Sequence, residues 1–364
     1  MGNHCSDFLC GKTVWNINLN EIIMKIGILT FHWATNYGAV LQCYALQSYL
    51  ESLGHEVEII NYKPWQYGFW GRYLRRPWLL KGLFRDVVAK RKEKKLVLFR
   101  NRYLNTTRRY YSCNQMLKAQ MNYDVVISGS DQILNPSYTI GGENKPTSSY
   151  FLQPFPKSRR LGYAVSFGCN EYPAEALSYA KDWINFFDAI GVREKTGIQI
   201  LNSMAYNNPK FVVPDPTILM GKKLFLGIRM DNIYKNARIC IYILRKHITF
   251  DIPHAAYIDD YNKPLSIEQW LGIIVNSNGM ITNSYHGMIM AILNHIPFVV
   301  LADATHMNDR FNTLLGKLGL LDRMVSSKDK CLSILSSDID WAVVDENLDK
   351  YRKCGEVFFE KYLI

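Results

Sequence analysis

A histidine in a polar loop is the residue of this chain best placed to do chemistry. His286 follows a predicted short strand at 280–282 and the polar residues Asn283 and Ser284, and we expect a helix to begin at Gly287. An imidazole holds or releases a proton near neutral pH, and the unpaired N–H groups of a helix start favour an anionic ligand. The pattern predicts an acid–base and anion-binding site; the alternative is a core histidine in an ordinary strand-to-helix turn.

Other predicted strand-to-helix loops also carry polar side chains. Asn36, in the first of them, either approaches a ligand or caps the following helix. Asp131 can accept a proton or bind sugar hydroxyls, or it caps a turn. Arg193 stands at a strand end, where a guanidinium can bind a carboxylate or phosphate through two hydrogen bonds. A surface pair between Arg193 and Glu194 is the alternative.

The elements that position these loops alternate between strand and helix. Strands are predicted at 25–31, 55–62, 124–128, 160–167, 189–192, 211–213, 237–244, 254–258, 280–282 and 298–301. Helices are predicted at 39–53, 174–187, 194–203, 266–275, 287–294, 309–318 and 348–362. This order indicates an α/β protein of two doubly wound Rossmann-type domains that face a cleft. Ligands bind beyond the carboxyl ends of such strands, so these loops should converge, with Arg245 adding positive charge from the facing half.

The pattern divides the chain into four parts. Residues 1–23 are interpreted as an N-terminal extension, because Met24 directly precedes the first predicted strand. Residues 24–220 form the N-terminal Rossmann-like domain, with a basic, Trp-rich insertion at 63–110. Residues 221–335, which begin with a predicted linker at 221–234, form the C-terminal Rossmann-like domain, and 336–364 form a C-terminal helical segment.

Composition excludes several classes of protein. With 48% hydrophobic residues the chain can form packed cores, but it has no apolar run of roughly 18 residues, so we expect no membrane span. We find no signal peptide, and the eight cysteines form no CxxC pair, as expected for reduced thiols in a cytoplasmic protein without a metal site. No GxGxxG or Walker pattern indicates a dinucleotide or nucleoside triphosphate.

Positive charge is concentrated in the insertion. The net charge is +11, and fifteen Lys and Arg residues between Lys63 and Arg109 stand against two acidic residues. Tryptophans such as Trp70 and Trp78 lie among these cations, a mixture typical of an element on an anionic membrane face. A nucleic-acid footprint and a solvated helical face are the alternatives.

Taken together, these segments resemble the polysaccharide pyruvyl transferase family. The resemblance runs from Met24 to about Leu320, and its segments occur in family order. They are Asn36-Tyr37-Gly38-Ala39 with Gln42 and Ala45-Leu46, Ser128-Gly129-Ser130-Asp131-Gln132, Val192-Arg193-Glu194, Asp215-Pro216-Thr217, Thr282-Asn283-Ser284-Tyr285-His286-Gly287, and Asp309-Arg310-Phe311 ahead of Leu314-Leu315. Some relatives carry an arginine two places before the histidine, where this chain has Ser284. In this chain other cations must therefore help to hold the anionic substrate that the family uses as its group donor.

The resemblance implies a GT-B-like fold and transfer of the enolpyruvyl group of phosphoenolpyruvate onto a sugar, usually as a cyclic ketal. His286 is then the candidate acid, and Asp131 the candidate base or sugar ligand. The donor would contact Arg193, Asn283, Ser284, Gly287 and Arg245, and the acceptor would contact Asn36, Asp131 and Gln132. Phosphoenolpyruvate is a co-substrate, and neither a cofactor nor a metal is expected.

The resemblance and the basic insertion together suggest where the enzyme works. A lipid-linked sugar of a bacterial capsule or exopolysaccharide precursor would be met at the inner face of the cytoplasmic membrane, by a cytoplasmic protein bound peripherally to anionic lipid. No nucleic-acid partner is expected. Two other functions stay open, a nucleotide-sugar glycosyltransferase of GT-B architecture and a noncatalytic sugar- or RNA-binding protein.

Overall fold

The computed structural model describes residues 23–68, 83–230, 239–244, 248–258, 264–302 and 308–363, with 83–89 described as backbone. Most of the predicted N-terminal extension, Arg245, and the part of the insertion that contains Trp70 and Trp78 lie outside the described residues.

The N-terminal half is built on a parallel sheet. Its strands are β1 (Lys25–Leu29), β2 (Glu56–Ile59), β3 (Val125–Asp131), β4 (Arg159–Val165), β5 (Ala189–Val192) and β6 (Lys210–Val212). Their order in the sheet is β2-β1-β3-β4-β5-β6. The helices of this half are α1 (Tyr37–Ser52), α2 (Leu83–Tyr103), α3 (Cys113–Ala119), α4 (Pro136–Gly141), α5 (Ala174–Trp183), α6 (Lys195–Ser203), α7 (Pro216–Met220) and α8 (Lys222–Leu226).

The C-terminal half repeats the arrangement with shorter strands. They are β7 (Cys240–Tyr242), β8 (Ala256–Tyr257), β9 (Met280–Thr282), β10 (Phe298–Leu301) and β11 (Met324–Val325), all paired in parallel. Their order is β11-β10-β9-β7-β8. The helices are α9 (Ile267–Val275), α10 (Tyr285–Leu293), α11 (Asp309–Leu318), α12 (Cys331–Leu335) and α13 (Trp341–Tyr362).

Both sheets reverse their strand order at one place, as doubly wound sheets do. In the N-terminal half the reversal lies between β1 and β3, and in the C-terminal half between β7 and β9. The prediction of an α/β protein with two doubly wound domains is therefore confirmed. Asp131 is the last residue of β3, and His286 lies in the first turn of the helix that follows β9, so both candidate catalytic residues lie at the reversal of their own sheet.

The structure corrects some predicted boundaries. The helix expected to begin at Gly287 begins at Tyr285, because Ser284 is its N-cap residue and its hydroxyl accepts the Gly287 N–H at 3.2 Å. The predicted linker at 221–234 contains α8, which buries Phe225.

An apolar core joins the two halves. The ring of Tyr37, at the start of α1, stacks on Trp270 of α9 with ring centroids 5.4 Å apart, and both side chains are fully buried. The Tyr37 hydroxyl also donates to the backbone oxygen of Leu265 at 3.0 Å. Burial of one such large side chain stabilises the fold by roughly 1.5–3 kcal/mol, so the junction is a packed interface.

The last helix also links the halves. The hydroxyl of Tyr351 in α13 donates to the backbone oxygen of Val213. The ring of Phe359 packs against that of Tyr163 in β4, with ring centroids 4.4 Å apart. Within the described ranges, no helix is long and apolar enough to cross a membrane.

Candidate active site

The N-terminal half brings four charged side chains together at the carboxyl ends of its strands. Arg193 directly follows β5 and is 1% exposed. Its Nη1 lies 3.1 Å from Oδ2 of Asp215, its Nη2 lies 3.6 Å from Oδ1 of Asp131, and its Nε lies 3.9 Å from Oε2 of Glu194. A fully buried guanidinium surrounded by three carboxylates replaces the surface pair with Glu194 that was the alternative.

Asp215 is the centre of this cluster, and sequence reasoning assigned it no role. It lies after β6 and is 0% exposed. Its Oδ1 accepts the N–H and hydroxyl of Thr217, so Asp215 is the N-cap of α7. Its Oδ2 accepts hydrogen bonds from Arg193 and from the Ser130 hydroxyl at 3.2 Å. The same oxygen lies 3.5 Å from Nε2 of His286, so one carboxylate orients groups from both halves.

Asp131 is held in a costly backbone conformation. It is the last residue of β3, and its φ of +86° lies in the left-handed region that non-glycine residues rarely adopt. Its Oδ1 accepts the N–H of Gln132 at 2.8 Å. One fifth of its side chain is exposed, compared with none of Asp215 or Arg193. Strained residues concentrate at functional sites, and this carboxylate is the cluster's accessible acid.

The C-terminal half contributes His286 by way of α10. The residue is 8% exposed and packs directly against the start of α1. A Cβ on Gly38 would lie 2.1 Å from Nδ1 of His286, closer than atoms can approach, so no other residue type fits there without moving the ring. A glycine of one half thus makes room for the histidine of the other.

A second arginine enters the site from the C-terminal half. Arg310 lies in the first turn of α11, and its guanidinium carbon is 5.7 Å from the centroid of the Tyr285 ring. The guanidinium carbon of Arg193 is 4.8 Å from the centroid of the same ring. Two cations, one from each half, therefore share one aromatic ring.

The cluster contains buried polar atoms without hydrogen-bond partners. They are Nε and Nη2 of Arg193, Oε2 of Glu194, Nε2 of His286 and Nε of Arg310. Such atoms are rare in folded proteins, and each costs roughly 1–3 kcal/mol. Five such atoms lie together at this junction, which makes it a candidate ligand site.

Electrostatics keep the pair of Arg193 and Asp215 charged. Burial alone would raise the pKa of Asp215, but His286, Arg193 and the Thr217 N–H together hold it well below its usual value. Burial would lower the pKa of Arg193, yet Asp131 and Asp215 raise it above its usual value. Burial raises the pKa of Glu194, and burial followed by repulsion from Arg193 lowers the pKa of Arg310.

The structure places the predicted site residues in two groups. Arg193, Asp131 and His286 converge as expected from the loops that carry them. The backbone N–H of Gln132 bonds to Asp131, so Gln132 borders the cluster. Arg245 lies outside the described residues.

The remaining predicted residues hold their own loops together. Asn36 caps α1 by accepting the Ala39 N–H at 3.2 Å. Asn283 accepts the N–H and donates to the oxygen of Leu244, clamping the ends of β7 and β9. Ser284 and Gly287 are bonded to each other at the start of α10. Their contacts with donor or acceptor remain predictions.

Two of the residues missed by sequence reasoning had detectable signals. Asp215 is an acid after a predicted strand of the same sheet as Asp131, and it precedes a proline that can begin a helix. Arg310 begins a predicted helix of the C-terminal half. Neither signal shows that the two side chains reach the same site.

The family comparison agrees with this geometry. A model of the family described as polysaccharide pyruvyl transferase matches residues 36–304, which include the whole cluster except the α11 residue Arg310. The chain belongs to the polysaccharide pyruvyl transferase family. The resemblance seen in the sequence is therefore confirmed. No curated protein sequence matches this chain significantly.

Solved structures support the fold. A putative UDP-N-acetylglucosamine 2-epimerase from Listeria monocytogenes superposes with a TM-score of 0.50 at 9% identity, covering 93% of this chain and 98% of that one. UDP-GlcNAc 2-epimerase from Methanocaldococcus jannaschii gives 0.48 at 11% identity over 93% and 100%. Spinosyn forosaminyltransferase SpnP gives 0.41 at 10% over 94% and 96%. The first likeness shows the architecture alone, and the GT-B-like prediction is confirmed.

Proposed function

We propose that this protein transfers the pyruvyl group of phosphoenolpyruvate to a sugar as a cyclic ketal, with release of phosphate. The observation that carries the proposal is the set of unpartnered buried atoms of Arg193, Arg310 and His286 at the junction of the halves. Donors on two guanidinium groups suit a ligand with a carboxylate and a phosphate. An adjacent imidazole supplies the proton that such a donor requires.

In the proposed reaction His286 is the acid. It gives a proton to the methylene carbon of phosphoenolpyruvate, and positive charge develops at C2. Asp215 orients the ring through the contact at 3.5 Å, and Arg193 and Arg310 hold the phosphate and carboxylate. A first sugar hydroxyl adds its oxygen to C2 and loses its proton. A second hydroxyl then attacks C2 and loses its proton as the bond from C2 to the phosphate oxygen breaks, which closes the ketal. Of the two hydroxyl protons, one replaces the proton that His286 gave to form the methyl group, and the other leaves with the phosphate.

Asp131 is the proposed base for the sugar hydroxyls. Its carboxylate is partly exposed and lies at the edge of the charged cluster, whereas Asp215 is fully buried and occupied by Thr217, Ser130 and Arg193. A base must reach the proton it removes within about 2.6–3.2 Å, and of these two carboxylates only Asp131 is open to an incoming hydroxyl. The acceptor therefore enters from the N-terminal half, beside Gln132.

The proposed acceptor is a lipid-linked hexose at an anionic membrane face. The described part of the insertion offers one stripe along α2 at helical spacing, where Arg91, Lys94, Leu98 and Arg102 are all exposed. Leu98 is 70% exposed. Other charges of α2 bind within the protein: Arg100 pairs with Glu93 at 2.7 Å, and Lys95 reaches Gln269 of the C-terminal half. The stripe leaves an apolar residue among cations, which suits lipid headgroups.

The decisive experiment supplies phosphoenolpyruvate with a panel of synthetic and lipid-linked galactosides. We expect release of inorganic phosphate and an acceptor mass increased by one pyruvyl group. A parallel set with UDP-sugars in place of phosphoenolpyruvate tests a nucleotide-sugar glycosyltransferase. Transfer from a UDP-sugar, without phosphate release from phosphoenolpyruvate, would refute the proposal.

Sedimentation with anionic liposomes tests the membrane contact. Neutralising Arg91, Lys94 and Arg102 to glutamine should remove roughly 1 kcal/mol of binding per residue, while neutralising Lys222 and Lys223 on α8 should have little effect. Wild-type protein that stays in the supernatant at low salt, or that prefers RNA to anionic lipid, would contradict the membrane proposal.

A further inference from the structure

One helix of the N-terminal half is capped by residues of the C-terminal half. Helix α6 begins at Lys195, and its own N-cap residue Glu194 makes no capping hydrogen bond with its side chain. Instead, Oδ2 of Asp309 accepts the Thr196 N–H at 3.0 Å and the Thr196 hydroxyl at 2.8 Å. The Lys195 N–H donates to the hydroxyl of Thr313 at 3.3 Å.

Asp309 also lies in the first turn of its own helix, α11. Two helix N-termini, one from each half, therefore approach the same carboxylate. Each carries a partial positive charge equivalent to roughly half a unit, and a carboxylate stabilises both. Without that charge the two positive ends would repel each other across the junction.

The residues beside this contact are those of the active site. On one side, Arg193 and Glu194 directly precede α6. On the other, Arg310 directly follows Asp309, and its guanidinium shares the Tyr285 ring with that of Arg193. Because the capping carboxylate belongs to the opposite half, the Glu194 carboxylate can face Arg193 in the buried cluster.

From this arrangement we infer that Asp309 is a positioning residue for donor binding. By capping α6 across the junction it fixes Arg310 relative to Arg193, so that the two guanidinium groups form one anion site only when the halves are joined there. The inference rests on the proposed function for its ligand, phosphoenolpyruvate, whereas the capping contact itself is independent of that function.

Kinetics of Asp309→Ala and Asp309→Asn test the inference. We expect the KM for phosphoenolpyruvate to rise about tenfold or more in the alanine variant, because the two arginines no longer act together, and to rise less in the asparagine variant, which keeps an acceptor. The KM for the acceptor should stay within about twofold. Thr196→Val should show a smaller rise, and Thr196→Ser should restore the wild-type value.

The matched control is Asp340→Ala. Asp340 accepts the N–H groups of Ala342 and Val343 at the start of its own helix α13, so its loss removes a cap of similar size within one element. It should lower the melting temperature and leave the KM for phosphoenolpyruvate unchanged. An equal rise in that KM in Asp340→Ala, or none in Asp309→Ala, would overturn the inference.

Hydrogen exchange separates this inference from the proposed function. The Thr196 amide should exchange slowly in the wild type and faster in Asp309→Ala, and it should be unaffected by Asp340→Ala. If the wild type releases no phosphate from phosphoenolpyruvate, the proposed function fails while the exchange result still judges the contact. An unchanged Thr196 amide in Asp309→Ala overturns the cross-junction cap whatever the activity.

Discussion

The two halves equip the same site in different ways. In the N-terminal half the loop side chains bind one another: Arg193 pairs with Asp215, and Asp131 and Glu194 lie close by. In the C-terminal half the side chain of Asn283 bonds to the backbone of Leu244 and that of Ser284 to the backbone of Gly287, and this loop presents His286 and Tyr285. The first half is thus an electrostatic cluster whose members depend on each other, and the second is a rigid support for individual groups. Substitutions in the two halves should therefore fail differently.

The largest effect on activity is expected from a substitution in the C-terminal half. His286→Ala should lower the rate of phosphate release from phosphoenolpyruvate by ~10²–10⁴-fold, because a positioned acid is removed, while the protein still folds. His295→Ala is the control: this histidine lies in the same half and pairs with Asp345 at the surface at 2.9 Å. A His286→Ala enzyme with normal turnover would remove the residue from the mechanism.

Substitutions in the charged cluster of the N-terminal half should lower activity and stability together. Arg193→Ala leaves three carboxylates without their cation, and breaking a buried pair costs about 3–5 kcal/mol of unfolding free energy. Arg193→Lys keeps the charge but loses the planar contacts, so the KM for phosphoenolpyruvate should rise roughly ten- to a hundredfold, for a lost contact worth about 1.5–3 kcal/mol. Denaturant unfolding and steady-state kinetics measure the two effects. A change in the KM for the acceptor alone would show that phosphoenolpyruvate does not bind at Arg193.

Acid should weaken the cluster in a defined window. The pKa of Asp215 is lower in the folded protein than its usual value of 3.8. The unfolded chain therefore binds this proton first, so Asp215 contributes its full stability above pH 4 and loses it as the pH falls towards the folded-state value. The stability difference between wild type and Asp215→Asn should be constant from pH 7 to 5 and shrink below 4. Parallel curves down to pH 2 would show that folding does not lower the pKa of Asp215.

The smallest effect distinguishes capping from acceptor binding in the first loop. Loss of the cap in Asn36→Ala should cost about 1 kcal/mol of stability, and Asn36→Ser, which can still cap, should recover most of it. If Asn36 also contacts the acceptor, the acceptor's KM rises in both variants. Equal KM values in wild type and both variants would leave Asn36 with a structural role alone.

Sequence periodicity predicted the order of the main elements well, and some bounds coincide with the structure. Strand Ala189–Val192 and helix Asp309–Leu318 were predicted as observed. Convergence of Asp131 and Arg193 was also predictable, because parallel strands of one sheet bring their carboxyl ends to one edge. Convergence with His286 followed from the expectation that two Rossmann-type domains face one cleft. These inferences depend on regularities that each segment carries in its own residues.

The rest depends on partners that a sequence does not specify. A polar loop residue can bond to its own backbone or to a ligand, and residue type does not distinguish these outcomes for Asn283 and Ser284. The contacts of Asp215 with His286 and of Asp309 with Thr196 join residues far apart in the chain. Helix α10 begins at Tyr285 rather than at Gly287 because the Ser284 side chain caps it, and sequence reasoning overlooked that cap.

The contact between Gly38 and His286 has a consequence for how the two halves meet. Since a single added carbon at position 38 would overlap the imidazole, this glycine allows α1 and α10 to approach more closely than any other residue would. The distance between Nε2 of His286 and Oδ2 of Asp215 depends on that close approach. The absence of a side chain at position 38 therefore determines how far His286 of one half can extend towards the carboxylates of the other.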